Sequence, residues 1–296
     1  MVPIIDWHEY ASGKSPDRVA FDVGQAARDV GAFVLVDHGI PRGLLTDVLR
    51  SAADVFDLSG PQKAPLSAGP NFLARGWRDG LAEGGKGDRG EGFRIGPMVP
   101  PESSADPFRS PNIWPDIDGF RDVLRDAHKD LSALSLGLIH AIERDLGIGR
   151  GELETHFARP LSTLDLVRLP SGARLGDVGA SQLCAPSALS MMILEENAGV
   201  AVYDRSGDWR DVPDVRGGLL VRVGDCLTRW SNAAYHAAPV QARGKSGALC
   251  ACFALIPQEA SVLAPLPRTG EPLYSPVTVA DFLSGGDATG KVSAAE

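Results

Sequence analysis

The side chains that could do chemistry are few and scattered. The four cysteines, Cys184, Cys226, Cys250 and Cys252, form no CxxC pair. Cys250 and Cys252 flank Ala251 on a predicted strand, so both point to one face, and a metal site needs more ligands than that pair supplies. Reduced, buried thiols are the default reading. As a nucleophile Cys250 would need a pKa depressed by a nearby base or cation; as a core thiol it needs nothing. Among six histidines, His236 in RWSNAAYHAAP suits an acid–base role, because imidazole titrates near neutrality; the alternative is an exposed loop histidine. Asp165 and Arg168 share the segment STLDLVRLP, where strand alternation lets each face either a pocket or solvent. Arg75 lies in ARGW, next but one to Trp77, and either grips an anion or forms a surface ion pair. An inward-facing pair of His236 with Asp165 is the arrangement that would mark an acid–base site.

Elements of two textures must position these residues. PIIDW reads as a short strand. Val19, Val23, Ala26, Ala27 and Val30 recur with helical spacing over Ser15 to Val30, and Gly31 ends that helix. AFVLVDHGIP follows as strand and turn, and Leu44 to Phe56 is again helical. Residues 59–112 are rich in Gly, Pro and charge and read as a long irregular stretch. Gly119 to Leu146 is a long amphipathic helix. After Phe157, short β-type runs follow one another: STLDLVRL, SALSMMILE, GVAVYD, GLLVRVGD and GALCACFALIP. Turn signals separate them, a pattern of an all-β sandwich or barrel. From Ser284 the composition is that of a disordered tail.

The bulk properties narrow the class. A hydrophobic fraction of 44% and a charged fraction of 23% over 296 residues are those of a globular chain with a core of ordinary size. A net charge of -9 argues against a nucleic-acid partner. No window reaches ~18 apolar residues, so no membrane span is expected. The start MVPIIDWHEY lacks the basic and apolar regions of a signal peptide, which predicts a cytoplasmic protein.

The series PIIDW, AFVLVDHGIP, ARGWRDGLAEG, GEGFRIG, NIWPDIDGFRDVL, RPLSTLDLVRLP, GDWRDVP, VRVGDCLTRWSN and FALIP resembles, in order from about residue 3 to residue 282, the isopenicillin N synthase-like iron(II)/2-oxoglutarate oxygenases. The resemblance implies an α+β fold with a mainly β core, a double-stranded β-helix (jelly roll, cupin-like). It implies one domain over 1–283, with a helical N-terminal region (1–157) and a β core (158–260), followed by a tail (284–296). The family binds iron through an HxD pair and a second histidine. Counted back from GVAVYD without a gap, HxD falls on Leu183-Cys184-Ala185, and the later histidine falls on Val240. The Arg-x-Ser pair that grips 2-oxoglutarate falls on Ala248-Leu249-Cys250. The resemblance makes His38, in DHGIP, a structural histidine and places Arg75 near the substrate entrance.

The expectation is therefore no metal and no cofactor. The positions left behind would line an apolar pocket: Ser181, Leu183 and Ala185 by period two, with Val240, Ala248 and Cys250. Arg75 and Trp77 stand at the entrance, and His236, Arg168 and Asp165 are the candidate catalytic groups. The expected substrate is a small, largely apolar molecule of a natural-product pathway, undergoing a non-redox cyclisation, isomerisation, elimination or pericyclic step. A non-catalytic small-molecule binding protein is the alternative, and a non-heme iron oxidoreductase with atypical ligands a third. A monomer or weak dimer is expected.

Overall fold

Strand pairing brings both halves of the chain into one sheet. The computed structural model describes residues 1–69, 73–80, 90–99, 108–169, 186–242, 247–267 and 269–285. The large sheet runs, edge to edge, β1 (Ile4–Asp6), β2 (Ala32–Val36), β9 (Leu219–Val223), β6 (Leu189–Leu194), β11 (Leu249–Leu255), β5 (Thr163–Arg168), β4 (Glu91–Ile95) and β3 (Gly76–Asp79). Every pair in it is antiparallel except β1 with β2. A smaller antiparallel sheet has the order β10 (Val240–Ala242), β7 (Val200–Tyr203), β8 (Trp209–Asp211). A two-stranded ribbon joins β12 (Val262–Leu263) and β13 (Val277–Thr278).

The helices are α1 (His8–Ala11), α2 (Pro16–Asp29), α3 (Arg42–Phe56), α4 (Gly60–Lys63), α5 (Phe120–Leu146), α6 (Asp225–Trp230) and α7 (Val279–Leu283), of which α2, α3 and α5 pack against the large sheet and α6 and α7 against the ribbon. In α2, Pro16 at the first turn removes an N–H that would go unbonded anyway, and Val19, Val23, Ala26 and Ala27 bury one stripe. In α5, Leu124, Leu131 and Leu138 recur every seven residues and are fully buried. Each such leucine stabilises the packing by about 1.5–3 kcal/mol. Gly147 then ends the helix with a left-handed backbone, φ 66°.

The two faces of the large sheet build two cores. Leu164, Leu166, Ala251, Phe253, Met191 and Val221 turn outward, toward the helices. Val167, Leu169, Met192, Leu220, Cys250 and Cys252 turn inward and meet Val200, Val202 and Val240 of the smaller sheet. A slip of one residue in β5 would exchange these sets.

The N-terminal half contributes β1 and β2 where the sequence predicts strands, and the stretch read as irregular over 59–112 holds α4 and two further strands of the sheet, β3 and β4. The β3 and β4 segments, GWRD and EGFRI, carry Gly and charge where alternation would need apolar residues. The tail expectation falls on residues 286–296, outside the described residues.

Candidate functional site

Directly paired residues on neighbouring strands point to the same side, so the register maps the inner face row by row. One row runs Arg94, Asp165, Cys252, Met192, Leu220, Val34. The next runs Arg78, Gly92, Val167, Cys250, Leu194. One end of each row is charged and the other apolar.

At the charged end Asp165 is fully buried. Its Oδ1 accepts from Arg94 Nε and from Arg78 Nη2, both at 2.7 Å, and its Oδ2 accepts from Thr163 Oγ1 at 3.0 Å. Arg75 is 2% exposed. Its Nη1 donates to the Leu73 carbonyl, and its Nη2 donates to the Phe108 carbonyl at 3.3 Å. No carboxylate within ion-pair distance faces Arg75 among the described residues, and the Nε atoms of Arg75 and Arg78 are buried without hydrogen-bond partners. Burial pushes the Arg75 guanidinium down to about 10, helped by the positive charge of Arg94 and opposed by Asp165. Burial and Arg94 also lower Arg78, again against the pull of Asp165.

Glycine makes room for Arg75. A Cβ at Gly96 would overlap the guanidinium. Asn112 holds this backbone in place: its Oδ1 accepts from Gly96 N at 2.8 Å, and its Nδ2 donates to the Gly96 carbonyl at 3.0 Å. Beneath this cluster His128 of α5 donates from Nε2 to the Ser162 carbonyl at 3.2 Å. Its pKa is lowered by burial, an effect that the Ser162 hydrogen bond opposes and Arg75 reinforces.

At the apolar end, Val240, Ala248 and Cys250 belong to one buried cluster with Val167, Val200 and Val202. Burial pushes the Cys250 thiol up to about 12, and Asp165 adds to the shift. Cys250 and Cys226 are free thiols, but Cys252 is disulfide-bonded, which corrects the expectation of reduced thiols at that position. Ser181, Leu183 and Ala185 lie outside the described residues. A cavity of about 960 Å³ opens between α3 and the strands β6, β7 and β9. Leu194, Val200, Val212 and Leu220 of the same apolar cluster line it. It touches none of Arg75, Arg78, Val240, Ala248 and Cys250.

The other candidates sit elsewhere. Asp165 and Arg168 are three apart on β5 and so face opposite ways. Arg168 reaches out toward α3, donating to Asp57 Oδ1 at 2.5 Å and to the Phe56 carbonyl at 3.3 Å. Trp77 also faces outward, its Nε1 donating to Glu91 Oε2 at 2.7 Å, with Lys63 over the ring. His236 is half-buried in the turn before β10. Its Nε2 donates to the Tyr203 carbonyl at 3.1 Å, and its backbone N–H donates to the Ala27 carbonyl at 2.9 Å. No hydrogen bond or ion pair joins His236 to Asp165 or Arg168 among the described residues. Arg78 and Arg94 were not singled out from sequence. The available signal was two arginines in RDG and FRIG segments otherwise read as loop.

Two family matches fit this architecture. Residues 2–117 match the family described as non-haem dioxygenase in morphine synthesis N-terminal, and residues 170–253 match the 2OG-Fe(II) oxygenase superfamily. Together the two matches make this chain similar to proteins of the 2OG-Fe(II) oxygenase superfamily. It is 28% identical over 247 residues to the 2-oxoglutarate-dependent dioxygenase thnC of Trichoderma harzianum, covering 79% of this chain and 77% of that one. It is 27% identical to gibberellin 20 oxidase 2 of rice (Oryza sativa), covering 95% of this chain and 74% of that one. Its fold is that of a full-length Neurospora crassa protein solved in complex with alpha-KG and thymine: the TM-score is 0.81 at 17% identity, with 96% of each chain covered. Among the described residues no helix is long and apolar enough to cross a membrane.

The superfamily's iron requires donor atoms, and the described residues do not fit it. Val240, where the sequence resemblance would put the third ligand, is a hydrocarbon side chain packed among other hydrocarbons. No group of three or more His, Cys, Asp and Glu stands together among the described residues. The sequence resemblance would put the other two ligands at Leu183 and Ala185, which lie outside the described residues, and neither side chain can donate a lone pair.

Proposed function

We propose that the chain is an enzyme of small-molecule biosynthesis that works without iron or 2-oxoglutarate on an oxygenase fold. The reaction is a non-redox cyclisation, isomerisation, elimination or pericyclic step. In this reading the two facing sheets are the halves of a double-stranded β-helix, and the space between them is the substrate site. The observation that carries the reading is Val240, buried at 3% exposure in an apolar cluster where the family places its last metal ligand. Ala248 and Cys250 occupy the family's Arg-x-Ser positions on the same inner face. An uncompensated imidazole or carboxylate in such a cluster carries a desolvation cost of roughly 2–7 kcal/mol or more. Hydrocarbon at these positions removes that cost, and other members of the same apolar cluster, Leu194, Val200, Val212 and Leu220, line the cavity of about 960 Å³.

The residues then act by confinement. The apolar cluster excludes water and orients the substrate. The arginines at the charged end offer fixed positive charge in a poorly solvated place, where it acts more strongly than in water. The test is anaerobic iron loading followed by elemental analysis, with succinate release measured in the presence of 2-oxoglutarate. The expected result is neither stoichiometric iron nor succinate. One iron per chain at micromolar affinity, or succinate release above buffer, overturns the reading.

The position of His236 favours a second reading, a non-catalytic binding protein. His236, Arg168 and Asp165 occupy three separate environments, so no acid–base pair is assembled from them. Tight ligand binding with no rate enhancement over buffer, in a chelated anaerobic reaction, would select this reading over the first.

A further inference from the structure

We propose that the cavity of about 960 Å³ beside α3 binds a small aliphatic or alicyclic monocarboxylic acid, with its hydrocarbon against the cavity wall and its carboxylate at Arg42. The inference deepens the proposed function and rests on it in taking this molecule as the substrate. The binding itself needs no part of that reading.

The first observation is the size and place of the space. The cavity lies where the two cores would otherwise meet. Val34, Val200 and Leu220 of the inner-face cluster line it together with Leu45 and Ile193 of the outer one. Packed interiors keep few voids larger than a water molecule, whereas small-molecule sites measure about 300–1,000 Å³. A space of this size, walled by hydrocarbon from both cores, has the dimensions of a ligand site. The wall also selects. Its hydrocarbon is aliphatic, and no aromatic ring is among the lining residues, so a planar aromatic ligand has no ring to stack on. An aliphatic or alicyclic body loses nothing by that lack.

The second observation is the charge at the rim. Arg42, Arg50, Arg216, Glu195, Glu196 and Asp214 all line the same cavity, and five of the six are already engaged. Arg216 Nε meets Glu196 at 2.9 Å, and Arg50 meets Asp47 at 2.6 Å. Glu195 accepts from Leu249 N at 3.2 Å, and Asp214 accepts from Asn197 N at 3.0 Å. The Arg42 guanidinium has neither ion pair nor hydrogen bond among the described residues. Its place is fixed all the same. The Arg42 stem lies across Gly217, where a Cβ would come within 2.9 Å of Arg42 Cγ and Nε. His38 Nε2 donates to the Gly217 carbonyl at 2.8 Å and holds that backbone. Arg42 also opens α3, whose cap residue Pro41 supplies no side-chain acceptor, so the positive end of the helix dipole adds to the guanidinium charge. A carboxylate suits this corner, because its two oxygens accept from paired guanidinium N–H groups. Head and body share one space, since Arg42 and the aliphatic wall line the same cavity.

The test is calorimetry on the full chain with chelator present. Octanoate is titrated against octanamide and octylammonium, and cyclohexanecarboxylate against benzoate. The expected result is octanoate binding about fivefold tighter than octanamide, as befits one ion pair at a hydrated rim, and tighter still than octylammonium. Cyclohexanecarboxylate should bind more tightly than benzoate. Arg42 is exposed, so Arg42→Gln should fold, and in it octanoate falls to within about twofold of octanamide while octanamide binding is unchanged. Arg216→Gln, which removes an arginine already paired, should keep the preference. Thr46→Trp, at another exposed α3 position on the wall, fills the space and should abolish binding of both octanoate and octanamide. The proposal is overturned if octanamide or octylammonium binds as tightly as octanoate, or benzoate as tightly as cyclohexanecarboxylate. It is also overturned if neither aliphatic acid binds at millimolar concentration, if the preference survives in Arg42→Gln or is lost in Arg216→Gln, or if Thr46→Trp binds undiminished. Iron loading separates the two readings. One iron per chain with the carboxylate preference intact removes the proposed function and leaves the site standing, whereas an iron-free chain that binds neither acid removes the site alone.

Discussion

Along the inner face of the large sheet, β3, β4 and β5 carry half-buried Arg78 and buried Arg94 and Asp165, while β6 and β9 carry half-buried Leu194 and buried Leu220, with Val240 of β10 in the same apolar cluster. Both ends are shielded from water by the same two-layer architecture, yet they are stabilised differently. The apolar end gains from every ångström of hydrocarbon removed from water. The charged end gains little net energy, because desolvation offsets the attraction between the ions. What it holds instead is fixed charge in a defined place. The apolar end holds Val240, where the sequence resemblance would put the last iron ligand. The charged end lies on β5 and on two strands from the N-terminal half, β3 and β4. Losing polar groups at one place therefore need not make a whole interior apolar.

The sharpest way to break this contrast is to remove its one shared carboxylate. Asp165→Ala leaves Arg78 and Arg94 without the oxygen both now bond, in a buried place. The expected loss of stability is about 3–5 kcal/mol in urea unfolding, with the denaturant slope unchanged. A loss below about 1 kcal/mol would show that water reaches these groups and that the charged end is not a dry one.

The converse experiment puts a polar group at the apolar end. Val240→His puts an imidazole where the sequence resemblance would put the family's last ligand. An imidazole there meets Val200, Val202 and Ala248 and no hydrogen-bond partner. The expected cost is about 1–3 kcal/mol, with no gain in iron affinity from the single change. A neutral or stabilising effect, or iron binding by this variant, would mean that polar atoms near position 240 await a ligand and that the apolar end is misread.

How far the sequence carried this picture depended on the kind of signal. α2, α3 and α5, and the strands β5, β6, β7, β9 and β11, were legible because apolar residues recur there at the period of the element. β8 and β10 were not, since three residues are too few to show a period. β3 and β4 were hidden because their inner face carries Arg78 and Arg94 where a strand pattern expects hydrocarbon. The same feature that concealed these strands makes the candidate site. Asp165 could be named from sequence but not given a partner, since its arginines come from strands about 70 and 87 residues away. His236 could be named but not placed. Its backbone bond to Ala27 and its ring bond to Tyr203 are tertiary contacts that no local pattern encodes.

The smallest expected effect reads the charged end from outside, through His128. This histidine lies under Arg75, and burial lowers its pKa from the ordinary 6.5, with the Arg75 charge adding to the shift against the Ser162 hydrogen bond. A folded pKa below the unfolded one means that the unfolded chain binds the proton first. The contribution to stability is therefore fully present above about pH 6.5 and is lost as pH falls through the folded value. Unfolding midpoints measured from about pH 7.5 down to about pH 5 should decline, with His128 contributing a slope of at most about 1.4 kcal/mol per pH unit. His38 and His156 are also lowered by burial and act in the same direction, so the variant His128→Gln is needed to isolate the term. The link to the arginine is read by NMR titration of the His128 ring. In Gly96→Ala, which moves the Arg75 guanidinium away, the His128 pKa should rise toward its ordinary value while remaining depressed, because burial is the larger cause. An unchanged His128 titration in that variant would show that Arg75 exerts no field at this ring, and that the charge at the end of the site is already neutralised by groups the structure does not pair with it.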